Sequence, residues 1–294
     1  MGKQKGLIRW SSELSEKALD FTQPEIMMKV IATVDDRGWP HITVITSNRA
    51  ISQDTIVYGE FSKGLSKKYT VENKKVGMVY MSADMPFQVL NVKAEFSHSK
   101  TEGPDLEYFN VSQLMRYMTY MNVYKAYYVN IVKASQVRKL ALGGIVSGLL
   151  KVLIGKSGAK TNTEEKKLNP LGYKLFNGAI NPKFLAYIDP EDGYPMIIPI
   201  IQLQAADHNR LVFPPTTLKS DLEKIPKDAI VAVLGMNMSL ANQVIKGPFK
   251  GFQKFRGIKL GVIDIEEIYN SSPPAPGIIY PEIYHRPKVE EFKY

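Results

Sequence analysis

The chain has 294 residues and no cysteine, enough length for two domains of about 150 residues each. With 44% hydrophobic and 23% charged residues it is neither disordered, collagenous nor coiled-coil. The missing cysteines exclude a disulfide framework, a thiolate zinc site, a cysteine nucleophile and a cysteine-held iron–sulfur cluster. A formal net charge of +9 favours anionic partners: a phosphorylated cofactor, nucleic acid or an acidic membrane surface.

In chain order, Leu14, Ala18 and Phe21 recur at helical spacing and predict a short opening helix over 13–21. The apolar, β-branched run 27–34 predicts a strand, closed by the turn Asp35-Asp36-Arg37-Gly38. Alternation predicts a second strand over 41–47, and 55–58 a third. Leu65, Tyr69 and Glu72 mark a short helix, 76–81 and 88–96 further strands, 104–118 a helix and 124–132 a strand. The apolar segment 140–154 (LALGGIVSGLLKVLI) is shorter than the ~20 residues of a membrane span and is interrupted by Lys151. It is expected to be an interdomain helix. No apolar run of signal-peptide length opens the chain, so a cytoplasmic protein is expected. The polar stretch 155–168 reads as an exposed linker, which puts a boundary near 160 between a first domain, 1–160, and a second, 161–294, that ends in a C-terminal tail.

The second half repeats the order of the first. The run 184–189 leads into Gly193-Tyr194-Pro195 as 31–35 leads into Gly38-Trp39-Pro40. The runs 196–200, 211–213, 229–234, 243–249 and 260–265 then match 41–45, 56–58, 76–81, 88–96 and 127–132. The offset is 155 from Gly38 to Gly193 and 153 from Phe96 to Phe249, and an offset held this closely over several elements marks a tandem repeat.

The run IATVDDRGWPHITVI, followed by TIVYGEFSKGLSKKYTVENKKVGMVYM and FQVLNVKAEF, resembles the FMN-binding split barrel of the pyridoxamine 5′-phosphate oxidase-like superfamily. The resemblance rests on Gly38-Trp39-Pro40, Ser62-Lys63, Lys67-Lys68, Asn73, Val76 and Gln88-Val89, and covers roughly 25–135 and more weakly 180–270. Lys74-Lys75 stand where the family often has a proline after Asn, and Lys93-Ala94 where a glycine is common. The resemblance implies a mainly β fold: two tandem FMN-binding split barrels forming an intrachain pseudo-dimer, either monomeric or further associated as a homo-oligomer.

Ser62, Lys63, Ser66, Lys67 and Lys68 surround a helix start and combine hydroxyl donors, ammonium charges and free helix N–H groups, the set a phosphate needs. The resemblance implies that this turn holds the FMN phosphate. It further implies that His41, Thr43, Thr46 and Ser47 run beside the flavin ring and that Gln88 contacts it. In the second repeat the turn is FPPTTLKSD: two prolines lack N–H groups, and Lys219 is the one cation before Asp221. A degenerate phosphate site and one flavin per chain are therefore expected.

The function implied is a flavin oxidoreductase moving hydride or electrons between a small-molecule substrate and a donor such as NAD(P)H. The alternatives are a non-catalytic flavin, deazaflavin or haem-binding protein and, less favoured, a nucleic-acid-binding protein. The last rests on 246–259, where five cations interleave with Phe249, Phe252 and Phe255. The four histidines show no metal-ligand spacing.

Overall fold

A computed structural model describes residues 8–61, 64–112, 122–237, 241–271 and 277–281. A short strand, β1 (Trp10–Ser11), and a helix, α1 (Glu16–Phe21), open the chain. The first barrel follows as β2 (Met28–Val34), β3 (Pro40–Val44), β4 (Asn48–Ala50), β5 (Thr55–Glu60), α2 (Leu65–Asn73), β6 (Lys75–Met81), β7 (Gln88–Lys100), α3 (Pro104–Val111), β8 (Lys125–Ser135) and β9 (Arg138–Lys139). Helix α4 (Leu142–Gly155), a 3₁₀ turn (Lys156–Ala159) and α5 (Pro170–Asn177) lead to the second barrel. That barrel is built from β10 (Lys183–Ile188), β11 (Pro195–Pro199), β12 (Gln204–Ala205), β13 (Arg210–Phe213), α6 (Lys219–Leu222), β14 (Ile230–Met236), β15 (Asn242–Phe255), β16 (Ile258–Asp264), β17 (Glu267–Asn270) and β18 (Gly277–Tyr280).

The two sheets have one topology. The first runs β3-β2-β6-β7-β8-β5-β4 and the second β11-β10-β14-β15-β16-β13-β12, antiparallel throughout. The protein is mainly β, with two tandem split barrels. Local chemistry fixes the first hairpin of each. The Asp35 carboxylate accepts the N–H groups of Arg37 and Trp39 at 3.0 and 2.8 Å, and Gly38 takes φ +78°. Asp189 accepts the N–H of Glu191, and Gly193 takes φ +72°. These are the short polar side chain and the positive-φ residue that a tight turn needs.

Alternation gives every central strand two buried faces. Ile31, Met78, Tyr80 and Leu90 fill barrel 1, while Leu185, Val233, Ile245 and Phe249 fill barrel 2. The opposite faces meet between the barrels, where Val30, Ala32, Ile42 and Val79 join Phe184, Ala186, Ile197 and Leu234. The contacts are reciprocal, as in a two-fold dimer. Lys93 of barrel 1 reaches Asp189 at 2.6 Å and Asp192 at 2.9 Å, and Lys246 of barrel 2 reaches Asp35 at 3.0 Å and Glu267 at 3.3 Å. Arg37 adds a 2.9 Å pair to Glu267, and the Tyr194 hydroxyl donates to Glu95 at 2.5 Å.

The structure sharpens three sequence expectations. The stretch 155–168 is exposed at most positions, as expected, and is also tied to barrel 2: Thr161 donates to Asp207, the Asn209 amide donates to Thr163 and Glu165, and Leu168 N–H reaches His208 O. Unpaired acceptors and donors at the β12–β13 turn capture a polar segment that composition alone marks as a linker. The stretch 246–259 is a core hairpin: Phe249 is buried, Phe252 packs against the core, and Lys246 is buried in the ion pair with Asp35. Phe249 is turned fully into the core and Phe252 and Phe255 are partly buried, so the three do not form the exposed row on which single-stranded nucleic acid stacks. The strand predicted over 41–47 breaks after Val44, and the remainder of the predicted helix 104–118 beyond Ser112 lies outside the described residues.

Candidate functional site

The barrels keep the same backbone and differ in what they place at one rung. In barrel 1, Thr33 on β2 pairs with His41 on β3; in barrel 2, Tyr187 on β10 pairs with Met196 on β11. Thr33 Oγ1 and His41 Nδ1 are both buried and have no hydrogen-bond partner among the described residues. Two such atoms side by side are costly unless something else satisfies them.

Helix α2 lies over this rung. The segment from β5 to β6 matches that from β13 to β14 without insertion, because Tyr58 and Gly77 correspond to Phe213 and Ala232 at one offset of 155. Lys67 therefore corresponds to Leu222, and Ser66 to Asp221. Lys67 is only 8% exposed and forms no hydrogen bond or ion pair among the described residues; its ammonium lies 5.8 Å from the Phe61 ring. Burial lowers its pKa, against the opposing field of Glu60. Glu60 is itself engaged, accepting the Tyr127 hydroxyl at 2.7 Å. Two turns of α2 place Tyr69 edge-on to His41 at 5.5 Å, and Tyr269 of β17 closes the other side at 5.1 Å. Burial first, and the charges of Lys246 and Lys67 next, outweigh Asp35 and depress His41 to about 3. The imidazole is neutral at pH 7 and cannot serve as an imidazolium proton donor.

The sequence-predicted residues separate into groups. His41 and Lys67 lie close enough to act on each other electrostatically, and buried Ser66 precedes Lys67 on α2, its carbonyl accepting the Thr70 hydroxyl at 2.8 Å. Thr43 stands two residues further along the same face of β3, paired with Ile31. Thr46 and Ser47 lie beyond the strand end, where they line a crevice of about 20 Å³ with Lys29, Arg49 and Tyr108, and the Ser47 hydroxyl donates to Gly59 O. Lys68 turns outward, half exposed and 3.8 Å from Glu72. Gln88 pairs with Lys139 at the far end of β7. It lies five residues from Lys93, so roughly 17 Å along the strand from the row that joins Gly77 to Ala32. The structure does not bring Gln88 to the His41 group, and Lys68 reaches it only from outside, its ammonium 5.4 Å from the Tyr69 ring. Ser62 and Lys63 lie outside the described residues. Thr33, Tyr69 and Tyr269 complete the group unforeseen. Thr33 had a signal, as the polar residue in an otherwise apolar run, but Tyr269 comes from the other barrel and had none.

Barrel 2 closes the equivalent place. Arg138 pairs with Asp221 at 2.7 Å, so the position of Ser66 carries an acid already used. Trp10 and Ile8 line the remaining crevice beside Tyr187 and Met196. Helix α4 covers the FPPTT turn, and a Cβ on Gly148 would stand 2.5 Å from Thr216 Oγ1. Among the described residues no three His, Asp or Glu side chains gather as a metal site.

No protein-family profile matches the chain, and no curated protein matches it. Solved structures do. An FMN-binding protein from Syntrophomonas wolfei is 20% identical with a TM-score of 0.37, over 43% of this chain and 86% of its own. A candidate pyridoxamine 5′-phosphate oxidase from Lactobacillus delbrueckii is 19% identical with a TM-score of 0.33, over 42% and 94%. An F420 reductase is 14% identical with a TM-score of 0.32, over 41% and 95%.

Proposed function

We propose that this chain binds a phosphorylated flavin-type cofactor, FMN in preference to a deazaflavin, at the first barrel, and acts as an oxidoreductase through it. The observation that carries the reading is Lys67, a buried cation with no ion pair among the described residues. It sits in the first turn of a nine-residue helix whose N-cap, Gly64, makes no side-chain cap bond. A phosphate there meets an ammonium and free helix N–H groups together. The orphaned Thr33 Oγ1 and His41 Nδ1 offer hydrogen bonds to a polar ring edge, with Thr43 next along β3. A flavin supplies the redox chemistry when bound, so the protein needs no nucleophile. Its own part is to hold the phosphate, orient the ring between the barrels and exclude water with Tyr69 and Tyr269. The substrate and a donor such as NAD(P)H complete this reading.

Neutral, buried His41 supports a second reading, a flavin carrier or store without turnover. Bleaching of the flavin absorbance by NAD(P)H separates the two, since only an enzyme of the proposed kind is reduced. For binding itself, a charge-assisted phosphate bond contributes about 1.5–3 kcal/mol, so Lys67→Met is expected to weaken FMN by roughly 10–100-fold. Lys219→Met, which removes the basic residue of the equivalent turn in barrel 2, should leave flavin content unchanged. Full flavin occupancy in folded Lys67→Met protein at limiting FMN would overturn the site.

A further inference from the structure

Helix α4 is apolar on nearly all sides, yet only one side is covered. Gly144, Gly148 and Gly155 press on barrel 2, where an added Cβ would collide with Thr216, Gln202 and Leu260, and buried Val152 shares that face. The other side carries Leu142, Val146, Leu150, Leu153 and Ile154, the last four each more than half exposed. Their spacing of three and four residues makes a continuous stripe along the helix. Fourteen residues span about 21 Å, short of a ~30 Å hydrocarbon core, and the adjoining 3₁₀ turn, which extends the apolar stretch to Ala159, packs on the second barrel through buried Ala159. With its glycine face engaged by protein, the helix is not a span.

The rim of the stripe is basic. From Val137 to Thr163 the chain holds Arg138, Lys139, Lys151, Lys156 and Lys160 and no acid; Lys139, Lys151 and Lys160 are exposed. The end of α4 and the 3₁₀ turn after it pack on the β15–β16 hairpin, through Gly155 against Leu260 and Gly158 against Phe255 and Arg256. That hairpin exposes Lys254, Arg256 and Lys259, and Lys254 sits directly opposite Lys259 in the ladder. Like charges in such a pair repel. Glu223, 3.8 Å from Lys259, is shared with Lys219. An apolar stripe bordered by cations that repel one another matches a surface apolar below and anionic above.

We propose that this face docks on an anionic lipid bilayer. The stripe of α4 enters the headgroup boundary with the helix parallel to the surface, and Lys139, Lys151, Lys160 and the hairpin tip meet lipid phosphates. The attachment is peripheral and weakened by salt, and it is independent of the cofactor reading.

The test is co-sedimentation of the full chain with phosphatidylcholine vesicles, with and without about one-third phosphatidylserine. The expected result is binding at least about tenfold tighter to the anionic vesicles, reversed by high salt. Leu150→Glu with Leu153→Glu should abolish it with the melting temperature unchanged, since both side chains are exposed. Lys254→Glu with Lys259→Glu should erase the preference for anionic lipid. Failure of the wild type to sediment, or equal sedimentation of the Leu150→Glu/Leu153→Glu protein, overturns the proposal. So does a wild-type dimer in light scattering that Leu150→Glu splits, because a second copy would then be the occupant.

Discussion

Barrel 1 and barrel 2 share strand order, turn chemistry and a reciprocal junction, yet they differ at one rung, where barrel 1 buries the unpartnered Thr33 Oγ1 and His41 Nδ1 and barrel 2 has Tyr187 and Met196. At matched positions barrel 1 has Thr33, His41, Ser66 and Lys67, and barrel 2 has Tyr187, Met196, Asp221 and Leu222. In barrel 2 the positions equivalent to the barrel 1 group are engaged by the chain itself: α4 lies on the FPPTT turn, Trp10 and Ile8 line the crevice beside Met196, and Arg138 pairs with Asp221. What is conserved within this molecule is the scaffold; what differs is the polarity at one rung and the helix start above it. On the proposed reading, a repeat can give up a site while still serving as the wall of its partner's, as Tyr269 does for His41.

The junction offers the largest test of the equivalence. Lys246 and Lys93 are both buried, and each is held by two carboxylates. Removing one member of such a network costs about 2–3 kcal/mol, less than the ~3–5 kcal/mol of an isolated buried pair, because Arg37 still faces Asp35 and Glu267 and Lys133 still faces Asp192. Lys246→Met and Lys93→Met are each expected to lose that much in chemical denaturation. A loss below about 1 kcal/mol for either would show that the two anchors are not equivalent. The two-fold is broken at Gly77, whose counterpart is Ala232. A Cβ on Gly77 would stand 2.1 Å from Pro195 O, a backbone atom. Gly77→Ala should destabilise by about 3 kcal/mol through overpacking, whereas Ala232→Gly should cost no more than about 1 kcal/mol. Equal small effects would mean that the barrels are not in close contact at Pro195.

Much of this comparison was legible in the sequence, and the exceptions have physical causes. The apolar, β-branched runs and the Asp-to-Gly turns fix the strands of both barrels, because period-two burial and positive-φ turns are local properties. The register of β7 against β15 was legible at the end of the strand, where Phe96 to Phe249 gives an offset of 153, and not at its start. Matching Gln88 to Gln243 assumes an offset of 155, but Lys93 and Lys246, which face Gly77 and Ala232, set it at 153. Gln243 thus corresponds to Leu90, because the β6–β7 loop is two residues longer than its counterpart. Strand pairing, not residue identity, decides such a match. Lys29 and Lys183 were overlooked for the opposite reason. Each looks like a surface charge in sequence but is buried at the start of its barrel, donating to carbonyl oxygens of Thr22 and Asn48, or of Gly178, Asn181 and Ile201. Burial lowers Lys29 to about 8 and Lys183 to about 7. At the site, residues on one strand or helix were found, whereas the contribution of Tyr269 exists only once the barrels pack.

The smallest expected effect isolates the polar rung itself. His41 titrates near 6.5 in an unfolded chain and at about 3 when folded, chiefly because burial disfavours its charge. Between those values the unfolded state binds a proton that the folded state does not, so stability is complete above pH 6.5 and falls as the pH drops toward 3. At pH 5 the loss from this one group is about 2 kcal/mol. Asp35 acts in a separate window: burial raises its pKa, but Lys246, Arg37 and the Trp39 N–H outweigh this and hold it below the usual carboxylate value. Its contribution is lost only at lower pH. Barrel 2 carries Met196 at the matched position, and Tyr187 beside it does not titrate in this range because burial raises its pKa. His41→Phe keeps a ring between Tyr69 and Tyr269 while removing the proton site. Denaturation at pH 7 and pH 5 should then show the wild type losing about 2 kcal/mol more than the variant. Identical losses in the two proteins would mean that His41 is hydrated or charged in the folded state, and the contrast between a polar rung in barrel 1 and an inert one in barrel 2 would fail with it.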